Sequence, residues 1–575
     1  MVRSLIGCGL LLLAFAAHAG AAPPEIVNIS VSHLAKHAGW RVRYRLAKPA
    51  AQLRFSQEFG AHRHGRWQVE TAGLSLIEKD GREYLARDDG KPFRQASLRF
   101  ASDISKLEKD YPLNKRFTDG SEWLCVLHLY AVPLRGAEPD PKAQFRLRLE
   151  PLPRESIVLD GARHRGAMTW VDPHGDRGTF VYFGTITPVQ SPHVIVIVDP
   201  GLPDYLRGRF ESLLPKLFRY YTDKTGYALK KRPVILISYY PADDLNQGTS
   251  GDVLPDVIAF DFRSAKMWEA DTSANVRPAF HLLAHEAAHL WNGNRFDSAN
   301  NEDAPWMHEG GADAFDWLAA RDFGVLDDAA FRGEIELKLN RCTNNIKALG
   351  LSLSDAIMRK QFDLAYQCGS VMNMMVDAEL HDRGGLFAFW RALFAEADRS
   401  GGRYSLEQYF ATLDKTAGNA RLADALRSIW FQTQPDPAAV FRDTLANAGV
   451  VIEAGAPSLA FTKVLARKAL ATVMGQDCDG ASRFNIADDR FELSGLPQCH
   501  VLKDRNVTVV AIAGRSVKDG GLAIYDAVAE RCNKHEKVAL VTAESGATIE
   551  IDCREPMAPL ALYVAITRWP TVAAK

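Results

Sequence analysis

The sequence shows no excess of charge of either sign. Its 575 residues include 69 Lys and Arg and 70 Asp and Glu, which gives a net charge of −1. Proteins that hold nucleic acid or anionic lipid through their surface field need clustered positive charge. The balance of charge therefore argues against nucleic acid or a lipid surface as a partner.

Internal repeats and low-complexity linkers are also absent, and 47% of the residues are hydrophobic. That content is ample for buried cores, which excludes a disordered or collagen-like protein. At about 100–200 residues per domain, the length predicts three or four domains.

Long apolar runs are missing beyond the N-terminal segment. Within that segment, residues 5–17 are apolar and Ala17-His18-Ala19 matches a small-x-small cleavage pattern. A run of about 13 residues is too short to span a bilayer comfortably. The sequence therefore predicts a cleaved signal peptide at residues 1–19, no transmembrane segment after its removal, and a secreted or periplasmic protein.

Cysteine is scarce, with eight residues, of which Cys8 lies in the predicted signal peptide. Four of the other seven fall in the last hundred residues: Cys478, Cys499, Cys532 and Cys553. They are typical of a local disulfide framework, whose connectivity the sequence leaves open. The odd number predicts at least one thiol that is unpaired or bridges two chains.

The hydrophobic pattern predicts an α+β multidomain protein. Residues 40–46 and 144–149 alternate strictly between apolar and polar, as half-buried strands do. We therefore expect residues 23–190 to form an N-terminal β-sandwich-like domain. The cluster His62-Arg63-His64 within it is predicted to be a solvated loop, because no carboxylate or further ligand lies at metal-binding spacing.

Beyond residue 190 the pattern changes to buried strands followed by helices. The apolar β-branched runs that predict strands lie at residues 193–198, 234–238 and 257–262. Helical periodicity then dominates from about residue 277 to residue 450. We expect a second domain at residues 191–450 and a third, of mixed helix and strand, at residues 456–575.

The stretch that points to chemistry is His285-Glu286-Ala287-Ala288-His289, inside an apolar helical run. Residues four apart share a helix face, so both imidazoles can bind one metal ion, and zinc accepts such nitrogens. Glu286 is badly placed to be a third ligand on this helix but well placed to take a proton from a metal-activated water. On the pentad alone, a helix with two exposed histidines and a solvated Glu stays an alternative.

A zinc site needs a third protein ligand. Trp306 opens a second helical run in which Glu309 can supply that ligand, and the adjacent His308 is its rival. A helix turns about 100° per residue, so the two side chains cannot both face the metal. A purely structural zinc site is the least supported alternative, because such sites are usually rich in cysteine and none lies beside the pentad.

With these residues, the sequence resembles the gluzincin class of zinc metallopeptidases, especially the membrane alanyl aminopeptidase family. That family's pattern is His-Glu-x-x-His, then x-Trp-x-Gly-Asn, then Trp-x-x-Glu-Gly. The later parts here are Leu290-Trp291-Asn292-Gly293-Asn294 and Trp306-Met307-His308-Glu309-Gly310. The resemblance implies that His285, His289 and Glu309 bind Zn²⁺. It also implies that Glu286 is the catalytic acid and base.

The family also carries a Tyr-x-Lys-Gly motif whose tyrosine stabilises the oxyanion. Tyr366-Gln367-Cys368-Gly369 lies at a comparable distance here, with Cys368 in place of the lysine. Tyr366 is then the candidate oxyanion donor, since a phenol can donate a hydrogen bond to charge that develops in the transition state. Taken alone, Tyr366 is equally typical of a buried aromatic at the start of a helix.

Two further departures from the family pattern concern spacing and specificity. Nineteen residues separate His289 from Glu309, one more than in the family. The Gly-x-Met-Glu-Asn motif that anchors a substrate's amino terminus is missing, and residues 248–252 stand in its place before a predicted edge strand at residues 257–262. Aminopeptidase specificity is therefore open, although an edge strand binds peptide by strand addition.

Glycyl aminopeptidases of the same clan are a second resemblance. Their His-x-Trp-Asn-x-x-Arg pattern matches His289 through Arg295. They end in a PDZ domain, and residues 456–575 look like a degenerate PDZ domain without a clean carboxylate-binding loop. A small cystine-stapled β domain is the alternative for this segment. The resemblances imply that residues 191–450 form a thermolysin-like α/β plus helical zinc peptidase domain.

The sequence thus predicts a secreted zinc-dependent metallopeptidase. It would hydrolyse a peptide or protein substrate by zinc-activated water, with Glu286 as general base and Tyr366 at the oxyanion. Whether it is an aminopeptidase or an endopeptidase, and its oligomeric state, stay open. The alternative is a non-catalytic secreted peptide-binding module on the same fold.

Overall fold

The computed structural model describes residues 25–35, 39–57, 62–102, 111–135, 143–173, 175, 177–242, 248–300, 303–486, 489–558, 560–561 and 563–570. The signal peptide predicted at residues 1–19 lies outside these. The chain divides into two compact units, Met1–Ile186 and Thr187–Lys575. Among the described residues, no helix combines the length and apolar character needed to cross a membrane.

The first unit is built from β-strands. In chain order they are β1 Ile26–Leu34, β2 Gly39–Ala50, β3 Gln52–Phe55, β4 Trp67–Val69, β5 Leu74–Lys79, β6 Arg82–Arg87, β7 Phe93–Phe100, β8 Asn114–Arg116, β9 Glu122–Cys125, β10 Ala131–Leu134, β11 Gln144–Glu150, β12 Ser156–Leu159, β13 Ala162–Arg165, β14 Met168–Val171 and β15 Phe180–Gly184. Three sheets result, with orders β14-β11-β1-β2-β7-β4, β10-β3-β6-β5 and β13-β12-β15-β9-β8. The predicted β-rich start of the chain is confirmed.

The alternation in β2 explains how these sheets bury one face. Val42, Tyr44 and Leu46 are buried, whereas Arg43 and Arg45 between them are exposed. Because side chains alternate across a strand, this pattern turns an apolar face to the core and a charged face to solvent.

The predicted solvated loop at His62-Arg63-His64 is wrong for its first two residues. His62 and Arg63 are buried, and only His64 is exposed. Arg63 Nη1 donates to Glu83 Oε2 at 2.5 Å, and its Nε donates to the His128 carbonyl at 3.1 Å. A buried guanidinium is tolerated only when it is paired and hydrogen-bonded. Glu83, the pairing carboxylate, lies on β6, 20 residues further along the chain.

The second unit begins with a five-stranded sheet and one long helix. Its elements are β16 Val189–Gln190, β17 Ile195–Val198, α1 Asp204–Thr225, β18 Val234–Tyr240, β19 Gly248–Leu254 and β20 Val257–Arg263. The strand order is β16-β17-β18-β20-β19, with β19 antiparallel to β20. The edge strand is therefore β19, not the strand predicted at residues 257–262. The error arose because the Gly, Thr, Ser and Asp residues of β19 lack the apolar pattern of a strand.

A helical block follows, interrupted by one short strand pair. Its elements are α2 Ser273–His289, β21 Asp297–Ser298, α3 Trp306–Asp322, α4 Asp328–Leu349, α5 Leu353–Met358, α6 Asp363–Glu379, α7 Gly385–Arg399, β22 Arg403–Tyr404, α8 Leu406–Ala417, α9 Arg421–Phe431 and α10 Pro437–Asn447. A π-helical turn, Leu290–Arg295, extends α2. One continuous core joins these helices to the sheet.

Two glycines let α3 and α6 pack backbone against backbone. A Cβ at Gly310 would lie 2.2 Å from the carbonyl carbon of Gly369, and one at Gly369 would lie 2.7 Å from the Trp306 oxygen. No larger residue fits such a contact. This close packing of α3 against α6 brings Glu309 of α3 near Tyr366 of α6.

The rest of the chain forms a smaller sheet with two helices. The elements are β23 Val451–Ala454, α11 Leu459–Asp477, β24 Phe484–Ile486, β25 Phe491–Ser494, β26 Asn506–Ile512, β27 Arg515–Ser516, α12 Gly521–Asn533, β28 Lys537–Thr542, β29 Thr548–Asp552 and β30 Val564–Arg568. The sheet order is β24-β25-β26-β28-β29, with β27 on β26. Strand β30 returns to pair with β23, and its Val564 and Ile566 join the core of the helical block.

Three disulfides join described cysteines. Cys478–Cys499 and Cys532–Cys553 lie in the C-terminal part, as a local framework predicts. Cys342–Cys368 ties α4 to α6. Cys125, in the first unit, is buried outside these bridges.

We expect Gly369→Ala to destabilise the second unit by about 1–3 kcal/mol, because the added methyl group has no room between α3 and α6. Gly333→Ala, on an open part of α4, is the matched control and should stabilise by about 0.4–1 kcal/mol. The measurement is the urea midpoint followed by tryptophan fluorescence. Equal midpoints would show that the helix contact has space after all.

Candidate metal centre

Helices α2 and α3 face each other through a row of imidazoles and a row of carboxylates. The rows follow helical spacing: His281, His285 and His289 on α2, and Glu309, Asp313 and Asp316 on α3. They pair in register. His281 Nδ1 lies 2.6 Å from Asp316 Oδ2, His285 Nδ1 lies 2.9 Å from Asp313 Oδ1, and His289 Nε2 lies 3.2 Å from Glu309 Oε2. Charged side chains buried between helices require such pairing.

Three donor atoms converge at the centre of this interface. His285 Nε2 and His289 Nε2 are 3.1 Å apart, and Glu309 Oε2 lies 3.4 and 3.2 Å from them. A tetrahedral ion with bonds of 2.0–2.1 Å separates its ligand atoms by about 3.3–3.4 Å. Glu309 Oε2 is buried and makes no hydrogen bond within the described part of the chain. The two nitrogens and one oxygen therefore fit the donor set of a zinc ion.

His308, the rival ligand, lies outside this group. Its ring stacks on His289 at 4.1 Å between centroids, and its Nδ1 donates to the Asn292 carbonyl at 2.8 Å. Burial, reinforced by the charge of His289, lowers the pKa of His308 to about 4. Of the two candidates for the third ligand, Glu309 lies beside His285 and His289, whereas His308 stacks on the ring of His289.

Each histidine is oriented through its other nitrogen. His285 Nδ1 donates to Asp313, whose second oxygen accepts from Lys338 Nζ at 2.8 Å. His289 Nδ1 lies 3.2 Å from Asn292 Oδ1. A carboxylate accepts only, so the proton of His285 sits on Nδ1 and Nε2 keeps its lone pair for a metal.

Sequence reasoning missed Asp313 and Lys338. Asp313 follows Glu309 by four residues, which places both on one face of α3, so helical spacing was a usable signal. Lys338 belongs to α4 and carried no such signal, because nothing local indicates which helices pack together.

The electrostatics of the cluster follow from burial and pairing. Burial by itself raises the pKa of Glu309, but the imidazoles of His285 and His289 beside it hold that pKa far below its usual range. Burial lowers the pKa of His285, but Asp313 and Glu309 raise it well above its ordinary value. Without a metal, the cluster thus balances its charge with protons on imidazole.

Glu286 lies on the same helix but faces the edge strand. A Cβ at Gly251 of β19 would lie 3.2 Å from Glu286 Cγ. Burial is the main cause that raises the pKa of Glu286. This carboxylate is therefore outside the ligand group and next to β19, the strand at the edge of the sheet.

Tyr366 lies on the first turn of α6, half-buried, with its ring 5.9 Å from that of His285. Burial and the nearby Glu309 raise the pKa of Tyr366, so its hydroxyl stays protonated. The ring lies beside the cluster and also packs against the core. Cys368, two residues further along α6, is bridged to Cys342 of α4.

Comparison with solved structures shows the fold. An aminopeptidase N family protein from Idiomarina loihiensis is 13% identical, with 94% of this chain and 98% of that chain covered and a TM-score of 0.61. An M1 zinc metallopeptidase from Deinococcus radiodurans is 16% identical over 72% and 96% of the two chains, with a TM-score of 0.42. Neither a family model nor a curated protein matches the chain.

The first of these likenesses extends over nearly the whole of both chains. The protein shares the fold of that aminopeptidase N family protein: a mixed α/β multidomain chain with a β-rich N-terminal part and a helical part after it. The predicted fold class is confirmed at this level.

We expect Asp313→Asn to weaken Zn²⁺ binding by about 10–100-fold, because the amide no longer holds His285 in the required tautomer as a carboxylate does. Competition with a chromophoric chelator measures the affinity. Asp328→Asn, at the exposed start of α4, is the control and should bind like the wild type. Equal Zn²⁺ affinity of the wild type and both variants would show that Asp313 does not support metal binding.

Proposed function

We propose that the protein is a zinc-dependent peptidase. The observation that carries this proposal is the convergence of His285, His289 and Glu309 donor atoms within 3.4 Å. Glu286 lies beside them, between the group and an edge strand. This arrangement combines a metal donor set, a free carboxylate and a surface that can pair with an extended chain.

Each residue then has a defined task. Zn²⁺, when bound, supplies a Lewis acid that polarises the scissile carbonyl and acidifies a water molecule. His285, His289 and Glu309 hold the ion, and Asp313 with Lys338 keeps His285 oriented. Glu286 accepts the proton of the attacking water and returns it to the leaving amine.

Tyr366 contributes to the site from α6. Its protonated hydroxyl donates a hydrogen bond to the oxygen that becomes negative as the carbonyl is attacked. Because α6 is held to α3 by glycine contacts and to α4 by a disulfide, the phenol is positioned before substrate arrives.

The edge strand supports a peptide as substrate. Six of the seven residues of β19 are half-buried, and among the described strands only β20 pairs with it. A peptide adding to the other side would form main-chain hydrogen bonds and run past Glu286. No Gly-x-Met-Glu-Asn anchor stands at residues 248–252, so main-chain pairing favours peptide substrates without selecting an amino terminus.

We further propose that the protein is exported and that residues 456–575 form a PDZ-like domain. Three disulfides support an oxidising compartment, since such bonds are rare in the cytosol. The succession of β26, a short turn, α12 and β28 supports a PDZ-like arrangement. The alternative of a non-catalytic binding module has less support, because all three donor residues and Glu286 are present and oriented.

We expect Glu286→Gln to lower peptide hydrolysis by at least about 10²–10⁴-fold while Zn²⁺ binding persists, because the amide cannot accept the proton. Mass spectrometry of a peptide mixture incubated with zinc-loaded protein reads out both the loss and the cut positions. Glu530→Gln, at an exposed site on α12, should cleave like the wild type. Zinc binding without cleavage by any of the three would favour the binding module.

We expect Tyr366→Phe to lower kcat by about 10²–10³-fold with little change in KM, because the lost hydrogen bond forms mainly in the transition state. Steady-state kinetics on one peptide from the mixture separates the two constants. Tyr525→Phe, whose hydroxyl bonds the Ala558 carbonyl, is the control. An unchanged kcat for Tyr366→Phe would show that the hydroxyl takes no part in catalysis and that Tyr366 serves only in packing.

A further inference from the structure

The six-stranded sheet of the first unit turns an arginine-rich face away from its core. Side chains alternate across a strand, so the strand register shows which residues share that face. The charged residues on this arginine face are Arg41, Arg43, Arg45, Arg99, Arg146, Arg148, Glu70 and Glu150. Six positive and two negative charges give the face a net charge of +4, whereas the whole chain carries −1.

Glu70 shows how the arginine face binds a carboxylate. Its two oxygens accept hydrogen bonds from Arg41, at 2.8 Å from Nε and 2.9 Å from Nη2. Ser97 Oγ donates a third hydrogen bond at 2.7 Å. The bond from Arg41 is the main cause that lowers the pKa of Glu70, and the bond from Ser97 adds to it. One guanidinium and one serine hydroxyl thus hold this carboxylate together.

Glu150, on the opposite side of β1 and β2, is held by the same two kinds of group. Arg148 Nε donates to its Oε1 at 2.9 Å, and Ser32 Oγ donates to its Oε2 at 2.7 Å. The bond from Ser32, followed by that from Arg148, lowers the pKa of Glu150. Because arginine and serine recur at both carboxylates, their combination is the carboxylate-binding arrangement of this face.

A third combination of this kind lies between the other two. Arg43 of β2 is directly opposite Ser30 of β1 in the strand register. Arg43 is exposed, and neither side chain makes a hydrogen bond or ion pair within the described part of the chain. The charge of Arg43 acts on both Glu70 and Glu150. Arg43 and Ser30 therefore offer the same donors, and a carboxylate that binds them must come from a partner.

A second row of donors follows two residues further along the strands. Asn28 of β1 is opposite Arg45 of β2 on one side and opposite Arg146 of β11 on the other. Both arginines are exposed, and neither has a hydrogen bond or ion pair with a described residue. Two residues of a strand span about 6.8 Å. Alternate side chains of an extended polypeptide have the same interval, so two of its carboxylates match the two rows.

Every cation of the arginine face is an arginine, which indicates the chemistry of the partner. A guanidinium presents a planar fork of donors that matches a carboxylate, whereas lysine is a point charge. The two anions that the face already binds, Glu70 and Glu150, are carboxylates as well.

We propose that the arginine face is a docking surface for an acidic segment of another polypeptide, extended along β2 with carboxylates on alternate residues. One carboxylate binds Arg43 with Ser30, and the next binds Arg45 with Arg146. The charge complementarity of the face selects this partner. The proposal depends neither on the metal centre nor on the proposed peptidase function.

The test is fluorescence anisotropy of labelled peptides titrated with the full-length protein. We expect a peptide of alternating Glu and Thr to bind at least about tenfold more tightly than the same peptide with Gln for Glu, as charged hydrogen bonds do. A peptide of equal composition with its Glu residues in one block should bind more weakly than the alternating one. Equal affinity of the alternating peptide and either of the other two would overturn the proposal.

Arg43→Gln should weaken binding of the alternating peptide by about tenfold or more. Arg43→Lys should restore only part of the affinity, because the charge returns without the fork. Arg146→Gln should weaken binding by a smaller factor and gives a second, independent substitution on the face. Arg165→Gln, at an exposed residue of β13 in another sheet, is the control and should bind like the wild type. Affinity that survives both Gln substitutions on the face would contradict the proposal.

Other polyanions are compared in the same assay. Vesicles of phosphatidylserine in phosphatidylcholine and a single-stranded DNA oligonucleotide are added as competitors of the alternating peptide. We expect both to compete only weakly, because neither presents carboxylates at the interval of an extended polypeptide. If either binds the wild type more tightly than the peptide and loses that binding in Arg43→Gln, the face serves another class of ligand and the proposal fails.

Discussion

The pairing of buried imidazoles with buried carboxylates between α2 and α3 is the interaction on which the second unit depends. Charge in a protein interior is expensive unless it is neutralised nearby. Glu309 Oε2 has two imidazole nitrogens within 3.4 Å and no hydrogen bond of its own among the described residues. A bound divalent ion would take the place of the imidazole protons that balance the charge of the metal-free cluster, so the same three donor atoms would stabilise a metal-loaded interior.

Helix α4 links that cluster to the rest of the site. It provides Lys338, which neutralises Asp313 behind His285, and Cys342, which is bonded to α6 two residues after Tyr366. In the proposed peptidase, the orientation of the metal ligand His285 and the position of Tyr366 would thus share one support, and a shift of α4 would disturb both together.

Local patterns in the sequence predicted local structure well. The strands Ile195–Val198, Val234–Tyr240 and Val257–Arg263 lie where the apolar runs predicted them, and the alternation near Val42 marks a half-buried strand. The pentad and Glu309 do converge, although their role as zinc ligands stays a prediction. The features that sequence reasoning missed or predicted wrongly are non-local. They are the edge position of β19, the ion pair of Arg63 and the contact of Lys338 with Asp313, and each depends on which elements become neighbours. Periodicity and spacing describe one element at a time.

The absence of an amino-terminus anchor has a physical consequence for selectivity. In the proposed peptidase, β19 would bind a substrate through main-chain groups that every peptide carries, so it would contribute affinity but little discrimination. Discrimination must then come from side-chain contacts elsewhere along the substrate.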